Sequence, residues 1–276
     1  MKQNIIAIVY DFDGTLTPYS MQDYTLLPEL GVTKTGRFWS DLNRESRMNG
    51  EEKDLAWMRK IKELAHQTAG RVRLSPKFFS KKAGNIEYFQ GVRDYFGRIN
   101  RFVRRRSRGK IQIRHYIVSS GLKEILDYVS IRKYFYNVFG SEYHYDPATG
   151  LPDFPKVVIT DTIKTQYIFR INKGKEKMWQ SINTHMPEPE RPIPFQNIIY
   201  VGDGLTDVPA MNVTRKNGGH PIAVYDPKSR KGRTTCEGLI RAGRVEFIAP
   251  ADYRKGRRLS TIVELILDSI IQRQIF

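Results

Sequence analysis

The stretch IIAIVYDFDGTLTP, residues 5–18, decides the fold. Its first six residues, Ile5–Tyr10, form a continuous apolar run, which is typical of a strand buried on both faces of a parallel sheet. Asp11 and Asp13 follow at once, and side chains two residues apart in an extended chain point to the same side. Gly14 then allows a sharp turn. The stretch therefore predicts a buried strand that carries two carboxylates to the carboxyl edge of a sheet, where open α/β folds bind their ligands.

Further apolar runs predict the rest of the sheet. They are residues Ile113–Val118, Ile198–Val201, Ile222–Tyr225 and Val245–Ile248. Helical patterns follow most of them, and the chain ends in apolar residues at helical spacing. This alternation predicts an α/β fold with a Rossmann-like, doubly wound parallel sheet as its core.

About a hundred residues separate the first two predicted strands, too many for one crossover helix. Asn49 and Glu52 have the spacing of a capping box, and a helical face follows it, made of Leu55, Met58, Ile61 and Ala65. Residues 89–99 are apolar at the spacing of a helix that leads back to the sheet. We therefore predict a helical cap domain at residues 18–85, inserted into a core domain of residues 1–17 and 86–276.

A second excursion lies at residues 140–170. The segment YDPATGLPDF has the composition of a turn. The segments VVIT and TQYIFRI on its C-terminal side read as strands. We predict a β-hairpin or small flap here.

Composition indicates a folded protein from a reducing compartment. The 276 residues include a single cysteine, Cys236, so no intramolecular disulfide can form. The N-terminal apolar run is too short for a signal peptide, and no apolar stretch is long enough to span a membrane. We expect a cytoplasmic protein without membrane contact, and the sequence does not predict its oligomeric state. The 46 Lys and Arg against 29 Asp and Glu give a net charge of +17, which attracts anionic partners or substrates.

Polar residues follow three of the predicted strands. Asp11 and Asp13 follow the first strand, the group Ser119, Ser120 and Gly121 follows the second, and VGDGLTD contributes Asp203 and Asp207. A lysine of INKGKEK, which is Lys173, Lys175 or Lys177, can enter the same crevice.

These groups fit together around a phosphate. Clustered carboxylates suit Mg²⁺, which binds them together with substrate phosphate. Asp11 can attack phosphorus to form an aspartyl phosphate, and Asp13 can protonate the leaving oxygen and then activate water. Thr15 and Ser119 can donate hydroxyls to phosphoryl oxygens, with Ser120 and Gly121 beside them, while a lysine neutralises the transferring group.

The segments DFDGT, IVSSG, NKGK and GDGLTD, in that order, resemble the four motifs of the haloacid dehalogenase-like phosphohydrolase superfamily. The resemblance implies that Asp11 is the nucleophile and Asp13 the acid/base, which also touches the metal. It selects Lys173, which precedes Gly174, as the neutralising amine. It implies that Asp203 binds the metal, and that Asp207 supports the metal or orients Lys173. The metal set that we expect is Asp11, Asp13, Asp203 and Asp207.

A cap between the first two motifs resembles the C1 type, in the branch of phosphoserine-phosphatase-like enzymes. Those enzymes have Glu nine residues after the nucleophile, where this chain has Ser20. The resemblance therefore leaves the substrate open. Candidate substrate contacts from the cap are Ser20, Gln22, Arg37 and Arg44.

The function that we expect is a Mg²⁺-dependent phosphohydrolase that cleaves a small anionic phosphomonoester. A phosphoryl transferase or mutase of the same superfamily is one alternative, because only access of water to Asp11 distinguishes it. A nucleic-acid-binding protein on this scaffold is the other. Residues 98–114 hold eight Lys or Arg and no Asp or Glu, and such a run supplies phosphate contacts. It lies in no recognised binding motif, so we favour a solvated helix end over a nucleic-acid contact.

Overall fold

The computed structural model describes residues 3–275. Its centre is a seven-stranded sheet in the order β4-β3-β2-β1-β5-β6-β7. The strands are β1 (Ile5–Tyr10), β2 (Gln112–Leu122), β3 (Phe135–Tyr145), β4 (Pro152–Val157), β5 (Ile198–Gly202), β6 (His220–Tyr225) and β7 (Phe247–Pro250). Only β4 pairs antiparallel; the other pairings are parallel. The predicted α/β class with a doubly wound parallel sheet is confirmed.

Strand β1 lies in the middle of the sheet, between β2 and β5. Its side chains from Ile6 to Tyr10 are fully buried, alternately in two hydrophobic layers on opposite faces of the sheet. Burial on both faces explains why the strand is an unbroken apolar run. Its bounds are those predicted from the sequence.

Helices cover both faces. The described residues form α1 (Met21–Thr25), α2 (Thr35–Asn49), α3 (Lys53–Gln67), α4 (Pro76–Lys82), α5 (Val92–Arg106), α6 (Lys123–Leu126), α7 (Ile163–Lys173), α8 (Val208–Lys216), α9 (Arg230–Arg241) and α10 (Arg258–Ile275). Helices α5 and α10 contribute to one hydrophobic layer, and α7, α8 and α9 to the other. Within residues 3–275 no helix is both long enough and apolar enough to cross a bilayer.

Helices α1 to α4 lie between β1 and α5 in sequence, in the region where a helical insertion is predicted. Met58, Ile61 and Ala65 of α3 are buried as expected, whereas Leu55 is 41% exposed. The helix cap also differs from the prediction. The Glu52 carboxylate accepts hydrogen bonds from the Asp54 and Leu55 N–H groups, whereas Asn49 ends the preceding helix.

The predicted hairpin exists, but its arms are different. Its arms are β3 and β4, and the turn between them includes Asp146, whose carboxylate accepts hydrogen bonds from the Ala148 and Thr149 N–H groups. The segment TQYIFRI, predicted as a strand, belongs to α7. Its apolar residues Tyr167, Ile168 and Ile171 are buried on one side of that helix, a 3.6-residue period that outweighs their β propensity.

Candidate active site

The loop after β1 and the loop after β5 meet at the carboxyl edge of the sheet. The Asp11 N–H donates to Val201 O at 2.9 Å, which joins the end of β1 to β5. Gly14 has φ +77°, and a Cβ there would collide with the Asp203 carboxylate. A glycine is therefore required at position 14 both by its backbone angle and by the approach of Asp203.

Asp207 is fully buried directly beneath this edge. Its carboxylate accepts hydrogen bonds from the Tyr200 hydroxyl at 2.7 Å and from the Asp203 N–H at 3.1 Å. A Cβ on Gly202 would collide with the same carboxylate. The GDGLTD segment is thus folded tightly around Asp207.

Lys164 occupies the position predicted for Lys173. Its Nζ lies 2.9 Å from Asp11 Oδ1 and 2.8 Å from Asp207 Oδ1, and its side chain is 2% exposed. Lys164 is in the first turn of α7, the helix that precedes β5. A helix before a parallel strand begins at the carboxyl edge of the sheet and ends at the amino edge, so its first turn faces the site.

Lys173 lies at the other end of α7, and the structure does not bring it to the carboxylates. Its Nζ donates to Ile182 O at 2.6 Å and Thr184 O at 3.0 Å, in the loop that leads to β5. Buried Arg170 binds carbonyl groups of the same loop. The NKGK segment therefore ends a helix and supports a loop. The prediction that Lys173 is the amine beside the carboxylates is wrong. The lysine that lies there, Lys164, comes nine residues earlier in the chain.

The carboxylates perturb one another because they are close and buried. Burial raises the pKa of Asp11 to about 6, with Lys164 lowering it and Asp207 raising it. Burial first, and then the charge of Asp11, raise the pKa values of Asp13 and Asp203 well above the usual range. Burial lowers the pKa of Lys164, but the carboxylates beside it raise it by more. The Lys164 ammonium is therefore charged. A single ammonium does not balance the carboxyl groups around it, so a further cation would stabilise their charged forms.

Oxygen atoms of Asp11, Asp203 and Asp207 all lie within 4.8 Å of one another. Clustered hard carboxylate oxygens fit Mg²⁺ better than a soft transition metal. The Asp13 carboxylate is not in this group. It accepts a hydrogen bond from the Met21 N–H at 2.8 Å, which orients it toward the start of α1. The structure thus gathers three of the four predicted metal carboxylates.

The residues predicted to bind phosphate follow β1 and lie at the end of β2. Thr15 is fully buried, and its hydroxyl has no hydrogen-bond partner. The Ser119 hydroxyl oxygen accepts from the Gly121 N–H at 3.0 Å, so its own proton is free to donate. Ser120 is half-buried and its carbonyl accepts from the Ser141 hydroxyl, toward β3. Buried hydroxyls without a bonded acceptor are suited to bind an anion.

Helix α1 reaches this edge from the insertion. A Cβ on Gly121 would collide with the thioether of Met21, so Gly121 permits this close contact. Ser20 precedes α1, and its hydroxyl makes no capping bond there. Gln22, the second residue of α1, is 3% exposed, and its side-chain carbonyl oxygen has no hydrogen-bond partner.

Arg37 and Arg44, the other predicted cap contacts, lie on the exposed side of α2. Both pair with Asp41, at 3.4 Å and 2.9 Å. The buried side of this helix is formed by Leu42 and Ser46 instead. The structure therefore turns both arginines toward solvent, and we withdraw them as substrate contacts.

Two residues of the site were not predicted from the sequence, Lys164 and Tyr200. The signal for Lys164 was the amphipathic period of residues 163–173, which makes it the first-turn residue of a helix. Nothing in the sequence distinguishes Tyr200 from the apolar residues of its strand.

A family model for haloacid dehalogenase-like hydrolases matches residues 8–212. A protein of Borreliella burgdorferi described as uncharacterized is 29% identical over 293 residues, which cover 98% of this chain and 99% of that protein. Among solved structures, a HAD family hydrolase, t0658, of Salmonella enterica serovar Typhi superposes with a TM-score of 0.61. It is 15% identical, over 95% of this chain and 71% of that one.

A phosphoserine phosphatase solved as an analogue of its phospho-aspartyl intermediate superposes with a TM-score of 0.57. It is 17% identical, over 95% of this chain and 99% of that one. At such identities the superpositions establish a shared fold, and the family match covers well over half of the sequence. The chain belongs to the haloacid dehalogenase-like hydrolase family.

Proposed function

We propose that this protein is a Mg²⁺-dependent phosphohydrolase that cleaves a small phosphomonoester through an aspartyl phosphate. One observation carries the proposal. Lys164 is buried between Asp11 and Asp207, while Asp13 is held apart from them by α1. A carboxylate nucleophile beside a charged amine, with a second carboxyl two residues away, is the arrangement that a double displacement at phosphorus needs.

In the first step an Asp11 oxygen attacks phosphorus and the bond between phosphorus and the ester oxygen breaks. Asp13 donates its proton to that oxygen, which leaves as an alcohol. The raised pKa of Asp13 favours the protonated form that this step requires. In the second step Asp13, now a carboxylate, takes a proton from water. The water oxygen attacks phosphorus and releases inorganic phosphate and the Asp11 carboxylate.

The phosphoryl oxygens need positive charge and hydrogen-bond donors around them. Lys164 supplies the charge, and the free protons of the Thr15 and Ser119 hydroxyls supply donors. Ser120 and Gly121 lie beside Ser119 at the end of β2. These groups are fixed by burial before substrate arrives, so little reorganisation is needed in the transition state.

Asp11 and Asp203 would hold Mg²⁺, together with the main-chain carbonyl of Asp13 that the family resemblance implies. Asp207 accepts hydrogen bonds from Lys164, Tyr200 and the Asp203 N–H. We therefore assign it to orient Lys164 and Asp203. When bound, the ion neutralises charge on the phosphoryl group and on the clustered carboxylates.

Residues 18–85 would act as the cap that closes over the substrate. Ser20 stands where phosphoserine-phosphatase-like enzymes have a Glu, so a cationic amino group has no matching carboxylate at that position. Gln22, whose side-chain oxygen has no hydrogen-bond partner, follows Met21 in α1. Met21 contacts both Asp13 and Gly121. A leaving group with a hydrogen-bond donor, such as a hydroxyl, would satisfy the Gln22 oxygen.

Hydrolysis of an aryl phosphate tests the proposal. We expect phosphate release that needs Mg²⁺, stops with EDTA, and is lost in Asp11→Asn while the protein stays folded. Turnover that survives Asp11→Asn would refute the assigned nucleophile. Phosphate transfer to an added alcohol without hydrolysis would favour the transferase alternative. A panel of metabolite phosphomonoesters would then identify the leaving group.

A further inference from the structure

The arginines between residues 98 and 108, in the second half of α5 and just after it, form two sets that face in different directions. Arg98 pairs with Glu264 at 2.8 Å, and Arg106 bonds to Asp268 at 2.7 Å, both on α10. The second set is exposed, and none of its members forms an ion pair within the part of the chain that the structure describes. We call this set the arginine stripe; it consists of Arg101, Arg104, Arg105 and Arg108.

The stripe is not explained by helix stability. Arg101, Arg104 and Arg105 lie three and four residues apart on one side of the helix, where like charges repel. The helix dipole favours cations in the last turn, which accounts in part for Arg104 and Arg105. It does not account for Arg101, one turn earlier, or for Arg108, which follows the helix end. The stripe is about 10 Å long.

A groove continues the stripe toward the amino edge of the sheet. Its volume is about 430 Å³, and it lies between the ends of α5 and α10. The groove is lined by Arg106, Ser107, Arg108, Lys110, Asp268, Ile271 and Gln272. Arg106 and Asp268 neutralise each other as an ion pair, so Arg108 and Lys110 leave the groove positive. The groove therefore extends the positive surface beyond the helix. The stripe and groove lie at the edge opposite to Asp11, so they are remote from the proposed reaction.

The sequence alone favours a solvated helix end for residues 98–114, but the exposed and unpaired guanidinium groups reverse that preference. We propose that the arginine stripe and its groove bind the sugar-phosphate backbone of a nucleic-acid duplex, independently of base sequence. A row of unpaired guanidinium groups matches a polymer with regularly repeated phosphates. The large apolar residues of α5 are buried or partly buried, including Phe102, so they offer no ring for base stacking and no wedge for a lipid surface. The net charge of +17 attracts such a polyanion from a distance.

Fluorescence anisotropy with a labelled, random-sequence DNA duplex tests this inference over a range of salt concentrations. The test variant replaces each member of the stripe with glutamine. A matched control removes the same charge from exposed cations elsewhere, also without ion pairs among the described residues; it carries K216Q, R230Q, K231Q and R241Q.

We expect the wild type and the control to bind the duplex at low salt with similar affinity. The stripe variant should lose at least about tenfold in affinity. The slope of log affinity against log salt should become shallower by up to about 3.6, since four phosphate contacts are lost and each removes roughly 0.9. Hydrolysis of an aryl phosphate should be unchanged in the stripe variant, which separates this inference from the proposed catalysis.

Three results would overturn the inference. Equal losses in the stripe variant and the control would mean that net charge alone attracts the duplex. Absence of binding at low salt by a folded wild type would exclude the surface altogether. Stripe-dependent binding to vesicles of anionic lipid, without binding to the duplex, would assign the surface to a membrane instead.

Discussion

The Nζ of Lys164 lies 2.9 Å from Asp11 and 2.8 Å from Asp207, buried where the loops after two central strands meet. Desolvation of a lone ammonium or carboxylate is costly, and the three groups offset that cost for one another. The lysine also fixes one carboxylate oxygen of Asp11. This relationship places positive charge at the proposed nucleophile.

Replacing either lysine of α7 distinguishes the two candidates for the neutralising amine. Lys164→Met should lower kcat for an aryl phosphate by about a hundredfold or more, because a fixed charge at the transferring group is lost. Lys173→Met is the matched control, and it should keep kcat within a few fold because Lys173 binds only loop carbonyls. The reverse order of effects would contradict the site described here.

Asp13 should matter most when the leaving group is poor. Asp13→Asn removes the proton donor, so an alkyl phosphate should lose far more activity than an aryl phosphate whose leaving oxygen needs little protonation. The measurement is kcat/KM for both substrates in the wild type and the variant. Equal losses with both substrates would show that Asp13 only orients α1 through the Met21 N–H.

Gln22 should act on substrate affinity and not on folding. Gln22→Met keeps the shape of the side chain and removes a buried amide whose carbonyl oxygen has no partner, so the melting temperature should stay the same or rise. The KM for the best substrate of the metabolite panel should rise, while that for an aryl phosphate without a donor stays constant. A lower melting temperature with unchanged KM values would assign Gln22 to packing alone.

The acidic cluster should make the metal-free protein less stable as pH rises. Burial raises the pKa of Asp11 to about 6 and raises that of Asp203 well above its usual range. The folded state therefore binds these protons more tightly than the unfolded chain. Its free energy of unfolding loses this contribution between about pH 4 and the raised pKa values.

Thermal unfolding in EDTA, compared between the wild type and Asp203→Asn, measures this effect. The variant has one carboxylate fewer. As the pH approaches neutrality, the melting temperature of the wild type should therefore become a few degrees lower than that of the variant. Added Mg²⁺ binds the deprotonated carboxylates, so it should restore the wild type more at neutral than at acid pH. A pH-independent difference between the two proteins would contradict the assignment.

The centre of the fold could be predicted because burial on both faces of a strand leaves a plain signal. Ile5–Tyr10 is apolar throughout, and its bounds are correct to the residue. Strand β3 left no such signal, since it contains Asn137, Gly140, Ser141 and Glu142. Gly140 is needed there because a Cβ would press against backbone atoms of Gly121 and Lys123. That requirement comes from a contact between distant residues, which local patterns do not contain.

The site could be predicted where its residues follow strands, and not where they depend on helix direction. Asp11, Asp203 and Asp207 meet as expected because parallel strands end at one edge. The neighbouring Gly174 favours Lys173 in the sequence, but in the structure this glycine ends the helix in a left-handed conformation. When residues 163–173 are taken as one amphipathic helix, the pattern predicts that the lysine at the site is Lys164, in the first turn.

The most direct test of the account is to trap the covalent intermediate during turnover. Borohydride added to the enzyme with Mg²⁺ and an aryl phosphate should reduce an aspartyl phosphate to homoserine, which peptide mass spectrometry locates. We predict homoserine at position 11, dependent on substrate and absent from Asp11→Asn. Continued phosphate release with residue 11 unmodified, or with the label on another residue, would contradict Asp11 as the nucleophile.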